Sequence, residues 1–354
     1  MNTLDRYLAL AAGRATLLVL VVLLALIGFI ALTGELQDVG EGKFQVADAF
    51  VVVFAHWPRN AFDIFPIAAL LGGMMGLGAL AKHSELVALR AAGVGLRRMV
   101  YSMVLAGSLF AGVAAVLGEL VMPGAERFAD AYSDELKRDR DSLSGLSGSW
   151  LRDGDRVFNI LQVETLDRLG GVYVYEFDAA DRLDSVAVAR RAQVGGDRSW
   201  YLEDVELTRF RARIETETVD ELTLETTIDP AVMAVSVIDT NSMSIPMLRD
   251  YIRYLEANDL QAGRYEMAMW QRLANVAAVP AMLLLALPFV FGPLRSGGNS
   301  ARFVVGFLIG VLYILSKGAL ADGAQVYGAP IWLTAWLPVI VIMGAAWVGL
   351  SRVR

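Results

Sequence analysis

Side chains able to do chemistry are sparse in this sequence, and their absences are as informative as their presence. Cysteine does not occur, so thiol nucleophiles, thiolate zinc sites and disulfides are excluded. The two histidines, His56 and His83, flank one apolar run at opposite ends, too far apart to share a metal. No histidine lies within an apolar run to activate a serine, and no Gly-x-Ser-x-Gly elbow occurs. Gly42-Lys43-Phe44 lacks the hydroxyl and the upstream glycine of a phosphate loop. No cofactor or metal is therefore expected. Lys317 is the one charge inside the long apolar segments; such a lysine snorkels to a helix end, packs in a bundle or meets a substrate. The other candidate is Ser84-Glu-Leu-Val-Ala-Leu-Arg90, followed by Gly93 and Gly95. It reads as a short helix with Ser84 as N-cap and a glycine as terminator. Leu86 and Leu89 share a face, and Glu85 and Arg90 offer charges to a partner. A permease pushed by a separate ATPase needs such a helix, but a plain surface turn fits the residues equally well.

The elements around these residues are mostly apolar. Ala15–Gly34, Ile64–Ala81, Met99–Gly118, Leu273–Leu294 and Ile331–Ser351 carry no charge, and Phe303–Ala321 carries only Lys317. A hydrocarbon core about 30 Å thick needs roughly 20 apolar residues of helix, so each segment is long enough to span. A hydrophobic fraction of 56% and mean hydropathy of +0.49 agree. The first run is too long for a signal peptide and no small-residue cleavage site follows it, so it reads as a retained helix. The segments before, between and after the runs alternate in charge. Met1–Arg14, Lys82–Arg98, Arg295–Arg302 and the tail together hold ten bases against two acids. Glu35–Asn60 has four acids against Lys43 and Arg59. Basic loops stay in the cytoplasm, so both termini are expected there and the insert between the third and fourth runs outside. Three regions follow: 1–118 with the loop 82–98, the insert 119–272, and 273–354.

The insert has thirty acids against eighteen bases, which disfavours nucleic acid. A polar helical stretch, Glu126–Arg140, precedes a β-rich core at about 148–230. Alternation marks strands at Arg156–Val163, Val172–Phe177, Leu183–Ala189, Trp200–Phe210 and Leu222–Ile228, with an Asp153-Gly154 hairpin signal. The series ends near Asp229-Pro230 and suggests a sandwich or jelly roll. Ser244 and Pro246 open a helix with Leu248, Tyr251, Ile252 and Leu255 on one packing face. Gly72 and Gly76 form a small-xxx-small pair for close helix packing. The fold expected is an α-helical membrane protein, three spans plus three, with an inserted all-β jelly-roll-like domain. Three functions remain: a transporter subunit, a membrane scaffold that recruits partners, and an intramembrane enzyme on lipid-linked sugars. The last lacks a nucleophile–base pair.

Four motifs carry a resemblance along nearly the whole chain: Leu4-Asp-Arg-Tyr7, Ser84-Glu-Leu-Val87, Ala262-Gly-Arg-Tyr265 with Met269-Trp270, and Phe291-Gly-Pro-Leu-Arg-Ser296. The chain resembles the LptF/LptG permeases of lipopolysaccharide export, and the last two motifs look like the LptG branch rather than LptF. The resemblance implies an inner-membrane subunit with a periplasmic β domain, paired with an LptF-like permease, an LptB-like ATPase dimer and an LptC-like single-span protein. It implies that Glu85 docks in the ATPase and that lipopolysaccharide enters laterally near the first and fifth spans. Family lysines and arginines that meet lipid A phosphates correspond here to Ala31, Gln37, Asp38, Asp130 and Ser133. Arg59 survives at a family lysine position, and Lys43 and Arg127 are the expected substitutes in a phosphate-facing ring. They stand equally well as plain surface charges.

Overall fold

In hydrocarbon a backbone can satisfy its own polar groups only as a helix or a closed barrel, and the charge-free runs of this chain form helices. The computed structural model describes residues 3–137, 149–165, 168–178, 182–195, 199–210, 214–225, 240–257, 261–291 and 299–352. They fall into two compact units: a helical one from residues 1–138 and 240–354, and a β unit from residues 139–239.

The helical unit contains α1 (Thr3–Glu35), α2 (Val46–Ala55), α3 (Trp57–Lys82), α4 (Glu85–Ala91), α5 (Leu96–Val116), α6 (Met122–Lys137), α7 (Ile245–Ala257), α8 (Gly263–Phe291), α9 (Asn299–Tyr327) and α10 (Ile331–Ser351). Six helices are long and apolar enough to cross a membrane, as expected. α3 and α8 are the most buried of them, and the other four lie around them. The expected glycine pair does pack a helix: a Cβ on Gly72 would sit 2.3 Å from the Thr16 Cα, and one on Gly76 2.5 Å from the Ala11 carbonyl. On the other side of the core, a Cβ on Gly107 of α5 would lie 2.8 Å from the Pro280 Cα of α8.

Three local expectations are corrected. The third span and the polar helix after it are not separate; the helix runs on from Leu96 to Lys137 through one π-turn, Leu117–Val121. The reason is Pro123, which lacks an N–H and whose ring crowds the carbonyl four residues back. The wider turn, closed by Met122 N–H on the Leu117 carbonyl, lets the helix continue. The segment Glu35–Asn60 is not all loop. Asp48 accepts a 2.8 Å bond from the Gln45 N–H and starts α2, and α3 begins at Trp57 with Pro58 in its first turn. Ser84 holds the N-cap position of α4 as expected, but it makes no side-chain cap bond, and the chain turns there at φ +59°. The glycine stop is present: Gly93 adopts φ +89°, with Val94 N–H on the Leu89 carbonyl and Gly93 N–H on the Arg90 carbonyl, both 3.0 Å, which together form a Schellman end.

The β unit is a six-stranded antiparallel sheet in sequence order: β1 (Ser149–Asp153), β2 (Arg156–Thr165), β3 (Arg168–Phe177), β4 (Leu183–Val194), β5 (Ser199–Phe210) and β6 (Ile214–Glu225). Gly154, at φ +58°, turns the first hairpin where Asp153-Gly154 signalled it. Phe158 and Trp200 are fully buried at its centre, rings 4.9 Å apart. Along β5, Trp200 and Leu202 point inward, and beyond Asp204 the inward set becomes Val205 and Leu207. Ala189 and Ala192 of β4 show the same change of parity, as do Leu169 and Val172 of β3. The row where parity changes holds Gly171 (φ +61°) and Asp204 (φ +53°), with Arg190 between them and 3.7 Å from Asp204. A slip of one residue turns every later side chain to the other face; shared by neighbouring strands, it bends the sheet as a sheet. The expected strand end beyond Glu225, Asp229-Pro230, residues 138–140 and Asn258 lie outside the described residues, as does the Phe291–Ser296 motif after Phe291.

Gly72→Ala is expected to destabilise the chain by about 1–3 kcal/mol, because the Thr16 backbone cannot give way. Gly34→Ala, with nothing within 4 Å, serves as the control. Thermal unfolding in detergent distinguishes the two; equal melting temperatures would mean that α1 does not cross α3 this closely.

Candidate functional site

At one end of the helical unit, the start of α1 grips the loop between α3 and α5. Asp5 is 3% exposed. It is paired with Arg98 Nη2 at 2.8 Å and accepts the Ser102 hydroxyl at 2.6 Å. Two residues on, the Tyr7 hydroxyl donates to Glu85. Leu86 is buried among Leu8, Leu80, Met99 and Met103, so α4 is rooted in the bundle by its own first turn. Leu89 is half-buried, while Val87 and Arg90 are exposed. Leu86, Val87, Arg90 and Ala91 line a cavity together with Val290 and Phe291 from the end of α8. The face that α4 presents outward thus includes Val87 and Arg90, while Leu86 of the shared Leu86–Leu89 face turns inward.

At the opposite end, Glu126 of α6 is buried to 2% of its side chain and faces two bases. His56 Nδ1 lies 2.9 Å from one carboxylate oxygen and Arg59 Nη1 3.3 Å from the other. The pKa of His56 is raised above its ordinary 6.5, chiefly by the hydrogen bond to Glu126. Burial opposes that shift, and the charges of Glu126 and Asp130 add to it. Nearby, Lys137 reaches from α6 to Glu35 (3.3 Å) and Asp38 (2.5 Å) at the end of α1. Glu119, in the π-turn, accepts the Ile245 N–H at 2.9 Å and so caps α7 from afar. Arg272 lies 3.8 Å from the same carboxylate and donates to the Thr240 and Asn241 carbonyls.

The model of the lipopolysaccharide export system permease family LptF/LptG matches residues 6–352. That span takes in every residue described at the two charged ends except Asp5, and all six strands of the β unit. The chain belongs to the LptF/LptG family. Among its relatives, lipopolysaccharide export system permease protein LptG of Escherichia coli (strain K12) is 31% identical over 341 residues, 95% of this chain and 94% of the relative. The LptG of Haemophilus influenzae is 31% identical over 359 residues, covering 100% of this chain and 99% of its own length. The likeness is therefore to the LptG branch, as the motifs suggested, and the chain is a membrane permease of the export system.

Within this LptF/LptG permease the residues expected at the site are scattered. Arg59 joins the Glu126 cluster. Lys43 is exposed, and its backbone N–H bonds the Leu136 carbonyl at the far end of α6. Arg127 is exposed and donates Nε to the Pro123 carbonyl of its own helix. Lys317 pairs across helices with Asp63 of α3 at 3.4 Å. Among the described residues no cluster of His, Cys, Asp and Glu is fit to hold a metal ion; His56 and His83 sit at the two ends of α3. Sequence reasoning passed over Asp5, Tyr7, Glu126 and Asp63. Asp63 adjoins the charge-free run directly, and its carboxylate was the one available signal for a partner to Lys317. Nothing marked Glu126 out from the other acids of its helix.

The histidine gives a pH dependence of known sign. A group whose pKa is raised by folding adds stability below its unfolded value, and that stability is lost as pH rises through the folded value. The melting temperature of wild type minus that of His56→Gln should be largest below pH 6.5 and decline above it. A difference that stays flat from pH 5.5 to 9 would remove the His56–Glu126 bond as its source.

Proposed function

We propose that this permease is the LptG-like membrane subunit of an ATP-driven complex that lifts lipopolysaccharide out of the inner membrane. In this reading the α4 end and both termini are cytoplasmic and the β unit is periplasmic, an orientation that the charge alternation supports. The partners are an LptB-like ATPase dimer that binds α4, an LptF-like permease beside the first and fifth spans, and an LptC-like single-span protein. ATP hydrolysis belongs to the ATPase; this chain supplies the path. Lipopolysaccharide enters laterally, rises towards the β domain and passes to a periplasmic β-bridge, for which an exposed strand edge is a ready template.

The observation that carries the reading is the rooting of α4. A helix that only turned the chain would need no fixed link to other helices. This one is held by Leu86 in the bundle and by Tyr7 on Glu85, and Asp5 ties the same stretch of α1 to α5. A push on α4 therefore reaches α1 and α5 as one body. The phosphate-facing residue in this reading is Arg59; Lys43 and Arg127 extend the basic surface, and Lys317 fastens the fifth span to the second.

Glu85→Ala should lose the co-purifying ATPase and leave lipopolysaccharide in the inner membrane, whereas a scaffold would keep envelope integrity. Tyr7→Phe separates binding from transmission: the ATPase still co-purifies, but transport per ATP hydrolysed in reconstituted vesicles falls severalfold. If both variants behave as wild type, α4 is not the input. Charge reversal at Arg59 should lower photocrosslinking to lipopolysaccharide without loss of assembly; unchanged crosslinking would take Arg59 out of the path.

A further inference from the structure

A carboxylate as buried as that of Glu126 is costly unless its partners offset the lost hydration. Here the partners are of two kinds. Arg59 is permanently charged, and 37% of its side chain is exposed, so its guanidinium joins the buried carboxylate to the surface. His56 is more enclosed, at 27%, and its charge depends on pH. Other charged groups act on it from the helices packed around it. Asp130 does so from one turn further along α6, and Arg59 from α3. α2 brings only Asp48, which is engaged at the other end of that helix with Gln45 and Tyr132.

We propose that His56, Glu126 and Arg59 form a proton-linked site for a phosphate group carried by a lipid. With His56 neutral, Glu126 cancels the charge of Arg59, and an arriving anion meets a carboxylate behind the guanidinium. With His56 protonated, one carboxylate is shared by two cations and the cluster bears a net positive charge. The anion then binds the protonated form more tightly, and by linkage its binding raises the proton affinity of His56. No bond is made or broken; the proton is a second ligand. Arg59 touches the phosphate, and Glu126 and His56 are positioning residues. The inference rests on the reading of Arg59 as phosphate-facing given above.

The chain's two histidines make the test direct. Full-length protein with 13Cε1-labelled histidine, in phosphatidylcholine nanodiscs, gives two imidazole resonances, assigned with His83→Gln. His83, at the other end of α3, is the internal control. On addition of lipid A the His56 midpoint should rise by about half a pH unit or more, equivalent to roughly threefold tighter binding by the protonated form. His83 should not move. Dephosphorylated lipid A should leave His56 where it was; an equal shift with inorganic phosphate alone would overturn the lipid part of the proposal. His56→Gln should bind lipid A equally at pH 5.5 and 8.5. Glu126→Gln should lower the His56 midpoint and abolish the lipid-dependent change; if that variant does not fold, Glu126→Asp with a reduced change serves in its place. Lipid A binding that is independent of pH in wild type, with no midpoint change, overturns the proton link. Arg59→Glu then tells the two failures apart: weaker binding keeps the Arg59 reading, and unchanged binding removes it together with the inference.

Discussion

Where α1 crosses α3, backbone meets backbone. Gly72 and Gly76 leave no room for so much as a methyl group against Thr16 and Ala11. In lipid no hydrophobic force drives helices together, since the tails are as apolar as the side chains, so close contact and dispersion must do it. The crossing sets the axial position of α1, and much of the chemistry at both ends follows from that position. Asp5 and Tyr7 fall beside Arg98 and Glu85. At the other end Glu35 and the turn after it bring their acids to Lys137. A shift of one helical turn would break both sets of contacts together.

The six spans were legible because the absence of charge over the length of a bilayer is a strong constraint. Which spans lie inside was not, because the runs are apolar all round and carry no stripe to show a buried face. Only the glycines hinted at it, and they marked α3 correctly. The π-turn and α2 were missed for local reasons. Pro123 reads as a helix break unless the turn before it can widen, and the Gln45–Asp48 cap was hidden in a stretch with Gly40 and Gly42. In the β unit, alternation located β2 to β5 but only the end of β6, which begins at Ile214 and not Leu222. It missed the change of parity, which needs a row of neighbours rather than one strand to be seen. At the site, the spacing found α4 and the face shared by Leu86 and Leu89. It could not show that this face turns inward, since a short amphipathic helix looks the same from either side. Glu126 lay among acids that read as solvated.

Charge in this chain is settled mostly in local pairs. Asp38 stands where relatives are expected to carry a lysine, yet it is not simply a lost cation: it receives Lys137 from α6. Asp130 likewise accepts the Ser242 hydroxyl at 3.3 Å, and Lys317 meets Asp63. Deep between the spans, Asn275 donates to the Phe62 carbonyl at 2.7 Å and accepts from the Tyr313 hydroxyl at 3.3 Å. The Asn275 arrangement keeps a buried polar group from standing alone among apolar side chains.

The place of the glycine crossing along α1 has a mechanical meaning. The tightest contacts fall at residues 11–16 of a helix that runs from Thr3 to Glu35. At 1.5 Å per residue, the arm towards Asp5 and Tyr7 is about 17 Å long and the arm towards Lys137 about 32 Å. The crossing is set off-centre, so a rigid tilt of α1 about it would move the far tip about twice as far as the near one. A displacement applied beside Asp5 and Tyr7 would then be enlarged on the side where Lys137 holds the other end of the lever.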